Sequence, residues 1–168
     1  MLDKNSKNLN RFVKITKALD KRVSVPKIYK VLKKDGLAII ENFGQSKYSN
    51  ILSKKNNKML YKLAVKNLIF IQSKKIVLNL PEYNVNKFLD ESNLFFDWYL
   101  PFFKIKNNNY KNDFNFFFRK FLKKLDKLPQ VFVHRDYHID NLFFLKNRPG
   151  LLKCGWIDYQ DAVYGPSL

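Results

Sequence analysis

Hydrophobic and polar positions alternate along this chain with several distinct periods. Over 9–19, Phe12, Ile15 and Leu19 share one helical face while Lys14, Lys17 and Asp20 take the other, which predicts a short amphipathic helix. Pro26 bars any helical continuation. The stretch KIYKVLKKDGLAIIENFG then carries two β-rich runs around Lys34, Asp35 and Gly36, which predicts a hairpin on an Asp-Gly turn with both turn residues at positive φ. A helix is predicted over 58–72, with Leu60, Ala64, Leu68 and Ile71 on one face. An aromatic-rich helical stretch follows over 86–104, interrupted at Pro101. Over 113–127 the stripe Phe114, Phe117, Phe118, Phe121, Leu122 and Leu125 is expected to face a core, with Lys120, Lys123, Lys124 and Lys127 pointing away. After Pro129 the period changes to that of strands. VFVH and LFFL bracket a polar loop, 147–150 turns the chain, and LLKCGWID makes a further strand ending at Asp158.

Composition refines this picture. The 168 residues suffice for one domain with a sizeable core, and 46% hydrophobic with 16% aromatic residues excludes a disordered chain. The 32 Lys+Arg against 14 Asp+Glu give a formal charge of +18, which raises nucleic acid or an anionic membrane as partners. The lysines, however, run from Lys4 to Lys153 among many asparagines and isoleucines, the bias of AT-rich coding, and the aromatics of 113–127 are not interleaved with the charges. Neither a specific nucleic acid nor a membrane is therefore expected as partner. Cys154 is the one cysteine, so no intramolecular disulfide forms, and it reads as a small buried side chain. The N-terminal residues lack the apolar core of a signal peptide and no uncharged apolar run approaches the roughly 18 residues of a spanning helix, so a cytoplasmic location is expected.

The polar loop His134-Arg135-Asp136-Tyr137-His138-Ile139-Asp140-Asn141 holds the densest chemistry. The strands before and after 147–150 are hairpin neighbours, so Asn141, at the start of one, and Asp158, at the end of the other, fall at the same end. One carboxylate and one amide oxygen suit Mg²⁺, which keeps other positions for water and phosphate oxygens. Asp136 is placed to accept the proton of an attacking hydroxyl. Zinc is disfavoured: His134 and His138 lie in a non-helical stretch without the glutamate of the metalloprotease pattern or nearby cysteine ligands. No serine or cysteine nucleophile accompanies them, which leaves a catalytic triad unsupported. For His134 the expectation is a loop-orienting role, and for Asp140 a turn cap; both histidines are read as the least chemical members of the loop.

HRDYHIDN followed by WIDYQDA resembles the catalytic and metal motifs of the aminoglycoside phosphotransferase and choline kinase superfamily, which has a protein-kinase-like fold. Arg135 in place of the commoner glycine, GWIDYQDAVYGP and the upstream LFFDWYL are similar to bacterial cell-wall-recycling kinases that phosphorylate N-acetylmuramate and N-acetylglucosamine at the anomeric position. The resemblance implies an α+β, partial protein-kinase-like fold: the end of an N-lobe with its hairpin, then a mostly helical C-lobe with short catalytic-loop strands. It implies ATP and Mg²⁺ as cofactors and a small sugar or amino alcohol as acceptor. By position it makes Asp136 the base, His134 the residue that steadies the loop, and Asn141 and Asp158 the metal ligands. Ile40, Glu41 and Phe43 resemble the interlobe linker whose backbone holds adenine, Asp161 the second acid of the metal motif, and Glu91 and Trp98 acceptor-pocket positions.

Two departures qualify the resemblance. No glycine-rich phosphate loop precedes Lys27 and no partner lysine stands out, while Leu168 falls just after the metal motif, where the superfamily continues into further helices. The expectation is thus an incomplete kinase, with 1–44 as N-lobe remnant and hinge, 45–168 as partial C-lobe, and no turnover by these residues alone. The alternatives are a choline, homoserine or aminoglycoside kinase, and a non-catalytic kinase-like or RNA-binding module. The few acids Asp90, Glu91 and Asp97 among many lysines tilt the acceptor toward a neutral or anionic sugar.

Overall fold

A computed structural model describes residues 6–74, 76, 78–106 and 109–167; residues 1–5 and 168, on which the expectations about the chain ends rest, lie outside them. In chain order the elements are α1 (Ser6–Leu19), β1 (Ile28–Leu32), β2 (Leu37–Ile40), α2 (Tyr48–Ile51), α3 (Asn57–Gln72), α4 (Val85–Leu94), a π turn (Phe95–Tyr99), α5 (Leu100–Phe102), α6 (Tyr110–Leu122), β3 (Gln130–Val133), β4 (Leu142–Phe144), β5 (Cys154–Trp156) and β6 (Val163–Pro166). They form two compact units. The first joins residues up to Asn79 with His134–Ala162, and the second joins Leu80–Val133 with Val163–Leu168.

In the first unit α1 buries Phe12, Ile15 and Leu19, the face its periodicity predicts, and Leu9 with them, worth roughly 1.5–3 kcal/mol per side chain removed from water. The helix stops well before Pro26, where Lys21 takes a left-handed φ of 65°. β1 and β2 pair antiparallel, Leu32 against Leu37. The turn between them differs from the expected one: Lys33–Asp35 form a 3₁₀ turn and only Gly36 has positive φ, 66°. Four linking residues let Asp35 stay in the ordinary helical region, so glycine alone takes the left-handed position. α3 buries Leu60, Ala64 and Ile71 as expected, and also Asn67, whose amide donates to the Leu151 carbonyl at 2.6 Å.

β4 and β5 pair antiparallel, Leu142 with Trp156 and Phe144 with Cys154. Their link is longer than a tight turn because Gly150–Lys153 coil into a 3₁₀ helix before β5 begins. Neighbouring segments extend the ribbon on both sides: Trp156 N–H donates to the Ser24 carbonyl and Phe144 N–H to the Ser46 carbonyl, both at 2.8 Å. Gly155 sits where a Cβ would come within 2.8 Å of the Phe43 ring and of Leu145. Cys154 and Trp156 are wholly buried.

In the second unit Asn84 caps α4, its side chain accepting from Lys87 N–H at 3.1 Å. The interruption of the next helical stretch is the π turn, not Pro101 itself. Leu100 N–H reaches back to the Phe95 carbonyl, and the wider turn makes room for a proline ring that would otherwise crowd the carbonyl four residues earlier. β3 pairs with β6, Phe132 opposite Tyr164, so the strand leading into the polar loop does not pair with the strand leaving it.

The stripe on α6 is buried only in part. Leu122 is buried and Phe114 and Phe118 half-buried, with Phe96 of the π turn 5.2 Å from Phe114. Phe117 and Phe121, expected in the core, are 67% and 55% exposed. The line 114, 118, 122 is the one that is covered, and Phe117 and Phe121 sit a position to its side. Trp98 and Phe102 are exposed as well. Among the described residues no helix is long and apolar enough to cross a membrane.

The crowding at Gly155 gives a direct test. Gly155→Ala should lower stability by about 1–3 kcal/mol, read as a lower urea midpoint with an unchanged slope. An unshifted midpoint would contradict the close approach of Phe43 and Leu145.

Candidate active site

Three features of the first unit build the site around the polar loop. His134 anchors it: the side chain is buried, packed edge-on against Trp156 at 5.4 Å and Tyr137 at 5.5 Å. Tyr137 ties the same loop to α3, its hydroxyl donating to the Ala64 carbonyl at 2.8 Å. Arg135 between them has φ 73°, a left-handed conformation that favours glycine and strains a residue with a Cβ.

Asn141 ends a 3₁₀ turn, Ile139–Asn141, directly before β4. Its amide nitrogen donates to the Asp136 carbonyl at 3.0 Å and to Asp136 Oδ2 at 2.8 Å. A carboxylate only accepts, so this fixes which end of the amide faces Asp136 and turns Oδ1 away, without a protein donor among the described residues. The residue that caps this turn is His138, whose Nδ1 accepts from Asp140 N–H at 3.2 Å; the cap expected of Asp140 is made by the histidine instead.

Asp158 follows β5. Leu142 pairs with Trp156 and Ile157 N–H donates to the Asn141 carbonyl at 3.1 Å, which puts Asn141 and Asp158 at the same end of the ribbon. Asp158 has φ 60° and an exposed side chain that accepts from the Gln160 amide. The turn behind it rests on α1: the Tyr159 hydroxyl is 2.9 Å from Thr16 Oγ1, its ring stacks on Phe12 at 5.6 Å, and Arg11 donates to the Ala162 carbonyl at 2.6 Å. Asp161 in that turn is exposed.

Among the described residues no three His, Cys, Asp or Glu side chains converge as a metal site. The Asn141 amide oxygen and the Asp158 carboxylate are hard oxygen donors, and an Asn141 Oδ1 turned away from Asp136, without a protein donor among the described residues, fits a Mg²⁺ ligand that leaves room for water and phosphate.

The linker residues lie in the same unit. Glu41 N–H donates to the Lys27 carbonyl at 2.8 Å, and its carboxylate accepts from Lys27 N–H at 3.0 Å and from Arg148 at 2.6 Å. Burial alone would raise the Glu41 carboxyl, but the Lys27 N–H and the Arg148 guanidinium hold it below the usual carboxylate range. Both its side chain and its backbone N–H are thus committed to partners within the protein. Ile40 ends β2, and the Phe43 ring lies 5.1 Å from the Arg148 guanidinium and 5.6 Å from Phe143. Glu91 and Trp98 belong to the second unit, Glu91 accepting from the Tyr83 hydroxyl and Trp98 74% exposed.

Residues 3–168 match the family model described as "Phosphotransferase enzyme family" (APH). The chain belongs to this family. It is 27% identical over 166 residues to a Neisseria meningitidis serogroup B protein named N-acetylmuramate/N-acetylglucosamine kinase, covering 92% of this chain and 46% of that one. A Pseudomonas aeruginosa protein of the same name is 31% identical over 150 residues, covering 86% and 42%. The APH-family chain therefore spans less than half the length of these curated relatives. Among solved structures, the gentamicin complex of APH(2'')-IIa matches with TM-score 0.64 at 18% identity, covering 96% of this chain and 56% of that one. ADP-bound APH(2'')-Ib matches with TM-score 0.61 at 19% identity, covering 96% and 57%. The expected fold class is borne out: a mixed helix and strand, kinase-like fold of the aminoglycoside phosphotransferase type.

Sequence reasoning missed the contacts of Tyr137, Asn67 and Arg148 and the turn cap made by His138. Their partners lie across the fold or depend on loop conformation, which spacing does not reveal. His134 offers a test by pH. Burial depresses it to about 4 from its ordinary 6.5, outweighing the opposing pull of Asp136 and Asp158. Below 6.5 the unfolded chain binds a proton that the native chain refuses, so the stability contributed is complete above pH 6.5 and lost as pH falls through about 4. The loss should total about 3 kcal/mol across that window. Urea unfolding from pH 7 to 4 should show it, and His134→Gln should flatten that part of the dependence; an equally steep variant would contradict the assignment.

Proposed function

We propose that this chain carries the catalytic and metal-binding loops of an ATP- and Mg²⁺-dependent phosphotransferase of the cytoplasm. Its proposed acceptor is a hydroxyl of an amino sugar such as N-acetylmuramate or N-acetylglucosamine. The observation that carries the reading is the pair of Asn141 amide bonds onto Asp136, which turn the Asn141 oxygen away from that carboxylate, with Asp158 at the same end of the ribbon. The names of the curated relatives support the amino sugar.

In this reading Asp136 accepts the proton of the acceptor hydroxyl as that oxygen bonds to the γ-phosphorus and the bond to the β-phosphate oxygen breaks, releasing ADP. Asn141 holds the Asp136 carboxylate in one orientation. Asn141 Oδ1 and Asp158 would hold Mg²⁺, which supplies charge neutralisation for the phosphates when bound. His134 fixes the loop from beneath, and the backbone of Ile40, Glu41 and Phe43 serves the adenine. Asp161, Glu91 and Trp98 are further candidates for acceptor contact. Residues 1–44 act as N-lobe remnant and hinge and 45–168 as partial C-lobe.

The test is ADP release from ATP and Mg²⁺ by the polypeptide of the full reading frame, over a panel of amino sugars, choline, homoserine and aminoglycosides. Amino-sugar-dependent release is expected, falling by about 10²–10⁴-fold in Asp136→Asn. No release with any acceptor, or an Asp136→Asn variant as active as the parent, would sink this reading. Release with choline, homoserine or an aminoglycoside alone would replace the acceptor.

A further inference from the structure

His138 stands closer to the chemistry than a solvated loop histidine needs to. Its Nε2 lies 3.0 Å from Asp136 Oδ1, the carboxylate oxygen that Asn141 does not hold. Which ring nitrogen carries the proton follows from the surroundings. Nδ1 accepts from Asp140 N–H at 3.2 Å and so has no hydrogen of its own in the neutral ring. Asp140 Oδ2, the acceptor that would favour a proton on Nδ1, is 3.6 Å away, beyond hydrogen-bond range. On the other side of the ring, Asn141 Nδ2 is 3.3 Å from Nε2. Both Asn141 amide hydrogens are already directed at the Asp136 carbonyl and Oδ2, at 3.0 and 2.8 Å, so Nε2 has no donor to accept from. The remaining neighbour of Nε2 is a carboxylate oxygen, which only accepts.

We propose that His138, as its Nε2–H tautomer, is a positioning residue for Asp136. It donates to Oδ1 while Asn141 donates to Oδ2, so the carboxylate is clamped from both sides in the plane that presents its remaining lone pairs to an acceptor hydroxyl. The ring keeps its proton throughout. Its contribution is orientation, and displacements of the order of an ångström at a reacting group are enough to lower rates by about 100-fold. The 3₁₀ turn capped by His138 gives the clamp its rigidity, because the Asp140 N–H that fixes the tautomer belongs to the turn that delivers Asn141. This inference rests on the reading of Asp136 as proton acceptor.

The chain contains two histidines, which makes the first arm of the test clean. In ¹⁵N-labelled protein at pH 8, the ring identified as His138 by its absence in His138→Gln should show a fixed Nε2–H tautomer. In Asp136→Ala its nitrogen shifts should move to those of a freely averaging imidazole. Averaging already in the parent, or no response to Asp136→Ala, overturns the clamp. The second arm uses whichever polypeptide transfers phosphate. His138→Ala should lower kcat by about 10–100-fold with KM for ATP and acceptor little changed, and His138→Gln, whose amide N–H reaches a similar position, should regain part of the loss. An unchanged kcat in His138→Ala overturns the positioning role and leaves the proposed function intact. Absence of transfer by the parent removes the proposed function instead, and the spectroscopic arm still decides the clamp.

Discussion

The antiparallel pairing of Leu142 with Trp156 is the constraint from which the candidate site follows. It fixes which residues stand at the open end of a two-stranded ribbon, and those are Asn141 and Asp158. A slip of one residue would turn Trp156 and Leu142 from the core to the other face, so burial of those side chains also holds the register that aligns two polar groups. The ribbon is itself held from both sides by backbone bonds to Ser24 and Ser46. Order at the site is thus maintained by apolar burial and main-chain hydrogen bonds of the residues next to Asn141 and Asp158, not by the polar groups themselves.

The polar residues then add local strain. Arg135, next to the buried His134, and Asp158, two residues after the buried Trp156, occupy left-handed backbone that costs about 1 kcal/mol or more for a residue with a Cβ. Their conformations persist because the residues beside them are anchored: Tyr137 to α3, Tyr159 to Thr16 and Phe12 of α1. The two loops of the site share one aromatic floor formed by His134, Tyr137 and Trp156.

Much of this was legible in the residues. The order and spacing of Asp136, Asn141 and Asp158 encode an arrangement because a ribbon converts sequence position into end-to-end alignment. The buried face of α1 and the helix over 57–72 followed from a period of 3.6. What spacing could not supply was any relation set by the third dimension. The Arg148 to Glu41 pair joins positions far apart in the chain. The pairing of β3 with β6 passes over β4 and β5. The exposure of Phe117 and Phe121 depends on what lies beside α6, and an apolar stripe reads the same whether or not a neighbour covers it. The contacts of His138 with Asp136 and Asp140 were not legible because they depend on the loop's conformation.

The chain has two tryptophans, and the two units hold one each in opposite surroundings. Trp156 is fully buried, in ring contact with His134 and Tyr137, while Trp98 of the second unit is 74% exposed. Indole emission shifts to longer wavelength in water, so the protein carries two intrinsic optical probes: a blue-shifted one that responds to the integrity of the floor under Asp136 and Asn141, and a red-shifted one that responds to anything covering the second unit. Single tryptophan-to-phenylalanine replacements would separate the two signals and let each unit be followed independently in the same solution.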